Sequence, residues 1–88
     1  MKLRVADVVR VRQLLASSRE VDGDMAHPPQ PRVGESGTVT TPVGDDLYLV
    51  EHVTDDGRSL WTAEFHVTEL ELVDRPADHS VRGDDLAR

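Results

Sequence analysis

Hydrophobic and polar residues alternate in several short segments of this 88-residue chain, and a period of two is typical of strands with one buried face. In the first segment Val5, Val9 and Val11 alternate with arginines. Later segments are rich in β-branched and aromatic residues, which pack well on a pleated surface. The pattern predicts five strands, over about residues 4–13, 38–41, 47–54, 58–65 and 71–73.

The segments between the predicted strands carry turn and loop residues. Asp55-Asp56-Gly57 predicts a hairpin turn, and residues 67–70 predict a single helical turn with Thr68 as its N-cap. Residues 16–32 have no regular period and contain three prolines, which predicts a long loop; loops of this length are usually functional or disordered. Residues 75–88 are polar and lack a core pattern, so we expect a mobile tail.

This order of elements predicts an all-β fold. Residues 1–74 are expected to form a five-stranded SH3-like barrel, with a long first loop and a short helical turn before the last strand. A chain of this length forms one small domain with a thin core. The inward positions of the alternating segments give the predicted core, which consists of Val5, Val9, Val11, Val39, Tyr48, Val50, Trp61, Phe65, Leu70 and Leu72.

Two aromatic side chains of the predicted hairpin have both a structural and a functional interpretation. If Tyr48 and Val50 point inward, so does His52, at a position where a sheet core favours phenylalanine. We interpret His52 as structural, with Glu64 on the adjacent strand as the candidate hydrogen-bond partner that a buried imidazole needs. Trp61 is typical of a core residue. It is also a candidate aromatic platform beside the long loop, of the kind that binds proline-rich segments.

Charge is distributed unevenly along the chain. The net charge is −7, to which residues 1–32 contribute +2, residues 33–74 contribute −9 and residues 75–88 contribute nothing. An acidic centre argues against nucleic-acid binding, which depends on lysine and arginine contacts with phosphates. It favours either a basic protein partner or a solvated surface. The pattern contains neither a signal peptide nor an apolar run long enough to cross a membrane, so we expect a cytoplasmic protein.

Candidate catalytic and metal-binding groups do not form a recognisable set. The chain has no cysteine, and its histidines lack the short spacings typical of metal ligands. No serine lies in a nucleophile elbow, and the aspartate pairs at 45–46 and 55–56 are typical turn residues. We therefore expect no catalytic residue, no metal site and no cofactor. The four histidines are His27, His52, His66 and His79.

Four short motifs lie between residues 33 and 73. They are Gly34-x-x-Gly37-Thr38-Val39, Tyr48-x-Val50-Glu51, Asp56-Gly57-x-x-Leu60-Trp61-x-x-x-Phe65 and Glu69-Leu70-Glu71. Together they resemble a family of small bacterial SH3-like proteins without assigned function. The resemblance implies the barrel and specifies no activity.

Two further segments carry a second resemblance. Residues 6–12 read Ala-Asp-Val-Val-Arg-Val-Arg, and the loop segment from His27 to Pro31 reads His-Pro-Pro-Gln-Pro. Both are similar to the C-terminal barrel of nitrile hydratase β subunits, which has a His-x-Arg-x-Pro loop. In that family the loop arginine reaches the metal centre of the partner α subunit and hydrogen-bonds its oxidised cysteine ligands. Here Pro29 occupies the position of that arginine, and Arg32 is the candidate substitute.

The leading hypothesis is a non-catalytic protein-binding accessory module. Its most concrete form, which the second resemblance implies, is a small β-type subunit or maturation partner of a nitrile-hydratase-like metalloenzyme. The alternative is a free-standing acidic regulatory or immunity protein that binds a basic protein partner by charge. Prolines preset an extended loop that loses little entropy when it docks. The candidate partner-binding residues are His27, Pro29, Pro31, Arg32 and Trp61.

Overall fold

The computed structural model describes residues 2–76, and within them the regular secondary structure is almost entirely β-strand. Neighbouring strands are antiparallel and follow the order β4-β3-β2-β1-β5 in one sheet. The prediction of an all-β fold with five strands is therefore confirmed. β4 and β5 are the two ends of this order, so the sheet is open. The elements are β1 (Val8–Val11), β2 (Ser36–Pro42), β3 (Leu47–Val53), β4 (Ser59–His66), a 3-10 turn (Val67–Glu69) and β5 (Leu70–Asp74).

One face of the sheet buries a single hydrophobic cluster, to which all five strands contribute. Its largest fully buried side chains are those of Trp61 and Phe65 of β4. The period of two accounts for this arrangement, because alternate residues of a strand share one face. The cluster consists of Leu3, Val9, Val11, Val39, Tyr48, Val50, Trp61, Ala63, Phe65, Val67 and Leu70.

The predicted core is wrong at two positions. Val5 is 59% exposed because the chain turns before β1 and Ala6 has a left-handed backbone with φ of 78°. The first strand therefore starts at Val8, and Leu3 is buried instead, with its backbone N–H donating to the Tyr48 hydroxyl. Leu72 is 37% exposed because it lies on β5, at one end of the sheet.

The helical turn before β5 is present, but its predicted cap is wrong. His66, rather than Thr68, is the N-cap, and its Nδ1 accepts the backbone N–H of Thr68. In return Glu69 accepts the backbone N–H of His66 over 2.8 Å, which completes a capping box. Glu69 is therefore drawn towards the body of the protein and is only 3% exposed.

An ion pair ties the end of the described chain to its beginning. The Asp7 carboxylate is 1% exposed and accepts hydrogen bonds from Nε and Nη2 of Arg75, over 2.9 and 2.8 Å, and from the backbone N–H of Arg4. The Arg75 hydrogen bonds hold the pKa of Asp7 below its ordinary value, although burial opposes them. Arg75 thus belongs to the folded body, and the tail predicted to begin there lies, from residue 77 onwards, outside the described residues.

Candidate binding surface

The long loop lies against the outer edge of β4. Asp22 and Thr62 exchange two backbone hydrogen bonds of 3.0 and 2.7 Å, which form an isolated antiparallel bridge. Asp24 extends the contact, since its N–H donates to the Ser59 carbonyl and its carboxylate accepts the Ser59 N–H. At Gly23 a Cβ atom would lie 2.6 Å from the Leu60 carbonyl oxygen, so a larger residue would push the loop away. The loop therefore covers the β4 edge, which would otherwise expose unpaired backbone groups.

A largely buried ion pair fixes the first half of this loop. Nη1 and Nη2 of Arg19 donate to the two oxygens of Glu69 over 3.1 and 2.6 Å, and their side chains are 13% and 4% exposed. The backbone N–H groups of Leu15 and His66 also donate to Glu69, so its carboxylate accepts four hydrogen bonds. Burial raises the pKa of Glu69, but these hydrogen bonds outweigh burial and keep the pKa below its ordinary value.

Three further residues hold Arg19 in place. Its guanidinium carbon lies 4.6 Å from the centroid of the Phe65 ring, in a cation–π arrangement, and Nη1 also donates to the Glu64 carbonyl. The side-chain amide of Gln30 bonds both the N–H and the carbonyl of Arg19, over 2.9 and 2.8 Å. Gln30 therefore joins the two halves of the loop, and the proline-rich second half is held next to the anchored first half.

The second half of the loop ends in a turn built around Glu35. The Glu35 carboxylate accepts the backbone N–H of Arg32 over 2.7 Å and the indole N–H of Trp61 over 3.1 Å. Gly34 has a φ of 97°, which favours glycine in this turn. Trp61 is thus a buried core residue whose polar edge holds the end of the loop.

His52 is a structural residue, as the sequence suggested, but its predicted partner is wrong. Its ring stacks on Trp61 with centroids 5.3 Å apart, and Nδ1 donates to the Ser36 carbonyl over 2.6 Å. Nε2 lies 3.8 Å from the Glu35 carboxylate. Glu64 cannot be the partner because Trp61 lies opposite His52. Glu64 is three positions further along β4 than Trp61, so the side chains of Trp61 and Glu64 face opposite sides of the sheet.

The structure separates the predicted partner-binding residues into two groups. His27 and Arg32 have exposed side chains, and Pro29 is half-buried. Pro31 and Trp61 are buried and present almost no surface to a partner. The residues that fix the loop were not predicted from the sequence. Only Glu69 has a local sequence signal, because it follows His66 at the spacing of a capping box.

No group of three or more histidine, aspartate or glutamate side chains could hold a metal ion within residues 2–76, and His79 lies outside this range. In the same part of the chain no helix is long and apolar enough to cross a membrane. The polar side chains that do converge, at Glu69 and at Glu35, bond one another and the backbone. This arrangement holds the long loop in position against the sheet.

Comparison of the chain with protein-family models, with curated proteins and with solved structures finds no match.

Proposed function

We propose that this protein is a non-catalytic protein-binding module with an SH3-like barrel fold, and that it docks through the exposed end of its long loop. The observation that carries the proposal is the fixation of that loop by Arg19, Gln30 and Glu35 while His27 and Arg32 stay exposed. A connector needs no such anchoring. A docking loop benefits from it, because side chains that are already positioned lose little conformational entropy on binding.

The strand order supports the barrel part of the proposal. β1 lies between β2 and β5, and β2, β3 and β4 follow as a meander. This order is the one expected of an SH3-like barrel with its long loop between β1 and β2. Both end strands contribute to one hydrophobic cluster, which indicates a strongly curved sheet.

The most concrete form of the proposal is a small β-type subunit or maturation partner of a nitrile-hydratase-like metalloenzyme. The exposed guanidinium of Arg32, next to a buried Pro31, is the side chain suited to a polar contact with a partner. A free-standing acidic regulator of a basic protein is the second candidate, and the net charge of −7 favours it.

The test is co-expression of the full chain with the product of each neighbouring gene, followed by affinity measurement. Replacing both His27 and Arg32 with alanine removes two exposed side chains of the loop and leaves the buried Pro31 in place. We expect unchanged thermal stability and an affinity at least about tenfold weaker, or about 1.4 kcal/mol. Arg58→Ala, in the β3–β4 turn, is the matched control. Unchanged affinity of the double variant for a bound partner, or no partner among the neighbours, would reject the loop as the docking site.

A further inference from the structure

A groove of about 610 Å³ crosses the outer face of β3 and β4. Leu47 and Leu49 form part of its floor, because they point away from the face that buries Tyr48 and Val50. Leu15, immediately before the long loop, also lines the groove and is 62% exposed. The groove is thus a concave surface with three leucines, separate from His27 and Arg32.

Exposed leucines scattered singly over a surface are common, whereas Leu15, Leu47 and Leu49 line the same groove. Leu47 is 38% exposed, and Leu49 is half-buried. Leu49 lies directly opposite Glu64 and Leu47 directly opposite His66 in the β3–β4 register, so polar groups border the leucines. Protein interfaces commonly have an apolar centre with a polar rim, and this groove has the same arrangement.

The charge of the groove indicates which class of partner binds there. Four carboxylates and one guanidinium line it, so its formal charge is −3 with His66 neutral. The guanidinium of Arg19 and the carboxylate of Glu69 bind each other. The remaining carboxylates form no salt bridge within the described part of the chain, and they are Glu20, Asp22 and Glu64. Their potential attracts cations and repels acidic partners.

The loop anchor also builds this groove. Arg19 places the loop residues beside β4, and its pairing with Glu69 leaves the groove with an excess of negative charge. The groove wall is therefore fixed before any ligand arrives, which reduces the entropy lost on binding.

We propose that this groove docks a segment of a protein partner that alternates lysine or arginine with aliphatic residues. The basic side chains pair with Glu20, Asp22 and Glu64, and the aliphatic ones cover the leucines. The inference deepens the proposed function and rests on it, because it gives the chemistry of the protein partner at a second surface.

The experiment titrates the full ¹⁵N-labelled chain with a capped Lys-Leu-Lys-Ala-Leu-Lys peptide and follows amide shifts by NMR. Two matched peptides replace either every lysine with glutamate or every leucine with serine. We expect saturable shifts at Leu47, Leu49 and Glu64 with the first peptide, none with the acidic peptide, and weaker binding with the serine peptide. Raising the salt concentration should weaken binding, since exposed charges are screened.

Two charge reversals with the same change in net charge distinguish binding at the groove from non-specific attraction of the peptide to an acidic protein. Glu64→Lys lies in the groove, whereas Asp55→Lys lies in the exposed β3–β4 turn. We expect Glu64→Lys to weaken peptide binding about tenfold and Asp55→Lys less than about twofold. Equal effects of the two reversals, or no saturable shift at the groove at millimolar peptide, would overturn the inference. Because His27 and Arg32 are untouched, this result is independent of the loop test above.

Discussion

Replacing Arg19 with alanine should be among the most destabilising single changes outside the hydrophobic core. The substitution removes two charge-assisted hydrogen bonds to Glu69 and the cation–π contact with Phe65. It leaves the carboxylate of Glu69, whose side chain is 4% exposed, with only the N–H groups of Leu15 and His66. Uncoupling one partner of a buried ion pair costs about 3–5 kcal/mol, because the remaining charge is poorly solvated. We expect a loss in this range.

Such a loss is large for a small domain, whose total free energy of unfolding is about 5–15 kcal/mol. Urea unfolding at pH 7, followed by the fluorescence of the single tryptophan, measures it directly. The control is Arg10→Ala, because the Arg10–Glu71 pair has side chains that are 47% and 49% exposed. That change should cost less than about 1 kcal/mol, as exposed pairs do.

The double variant Arg19→Met with Glu69→Gln sharpens the test. A neutral glutamine leaves no buried charge unpaired, so the double variant should lose less stability than the sum of the two single variants. A loss below about 1 kcal/mol for Arg19→Ala would refute the reasoning, since this is the range of an exposed pair. It would mean that the loop is not anchored through Arg19.

Three further predictions concern stability. A chain ending at Asp74 should unfold at a clearly lower urea concentration than one ending at Pro76, because only the longer chain keeps Arg75 on the buried Asp7; equal midpoints would contradict this pairing. The hydrogen bonds that lower the pKa of Glu69 stabilise the fold above its ordinary value of 4.5, and this stabilisation is lost as the pH falls through the lower folded pKa. In urea titrations Glu69→Gln should therefore lose less stability than wild type as the pH falls below 4.5. His52→Phe should change the free energy of unfolding by less than about 1.5 kcal/mol, because the new ring can still stack on the indole; a larger loss would show that the imidazole hydrogen bond is essential.

Much of the sheet was predictable because strand patterns are local. Val9 and Val11 flank Arg10, Tyr48 and Val50 lie two residues apart on β3, and all four are buried. The errors arose where the backbone departs from the regular period. Ala6, which follows Val5, has a positive φ and turns the chain before β1. The pattern of hydrophobic residues does not predict a positive φ at an alanine.

The candidate surface was less predictable because its contacts join distant parts of the chain. Arg19 and Glu69 are 50 residues apart, and the capping-box spacing that marks Glu69 does not point to Arg19. The role of Trp61 depends in the same way on Glu35, which lies 26 residues before it. The sequence located the loop that carries His27 and Arg32. It did not reveal that the loop is anchored, which is the property on which the proposed function rests.

The central claim is that the loop of residues 16–32 is a preformed docking surface rather than a connector. Backbone ¹⁵N relaxation of the isolated full chain tests this claim most directly. We expect order parameters near those of a rigid backbone, about 0.85, at Arg19, Asp22 and Gln30, as in β3 and β4. Values below about 0.6 through the loop, with rigid strands beside it, would contradict the account and make the loop a flexible connector.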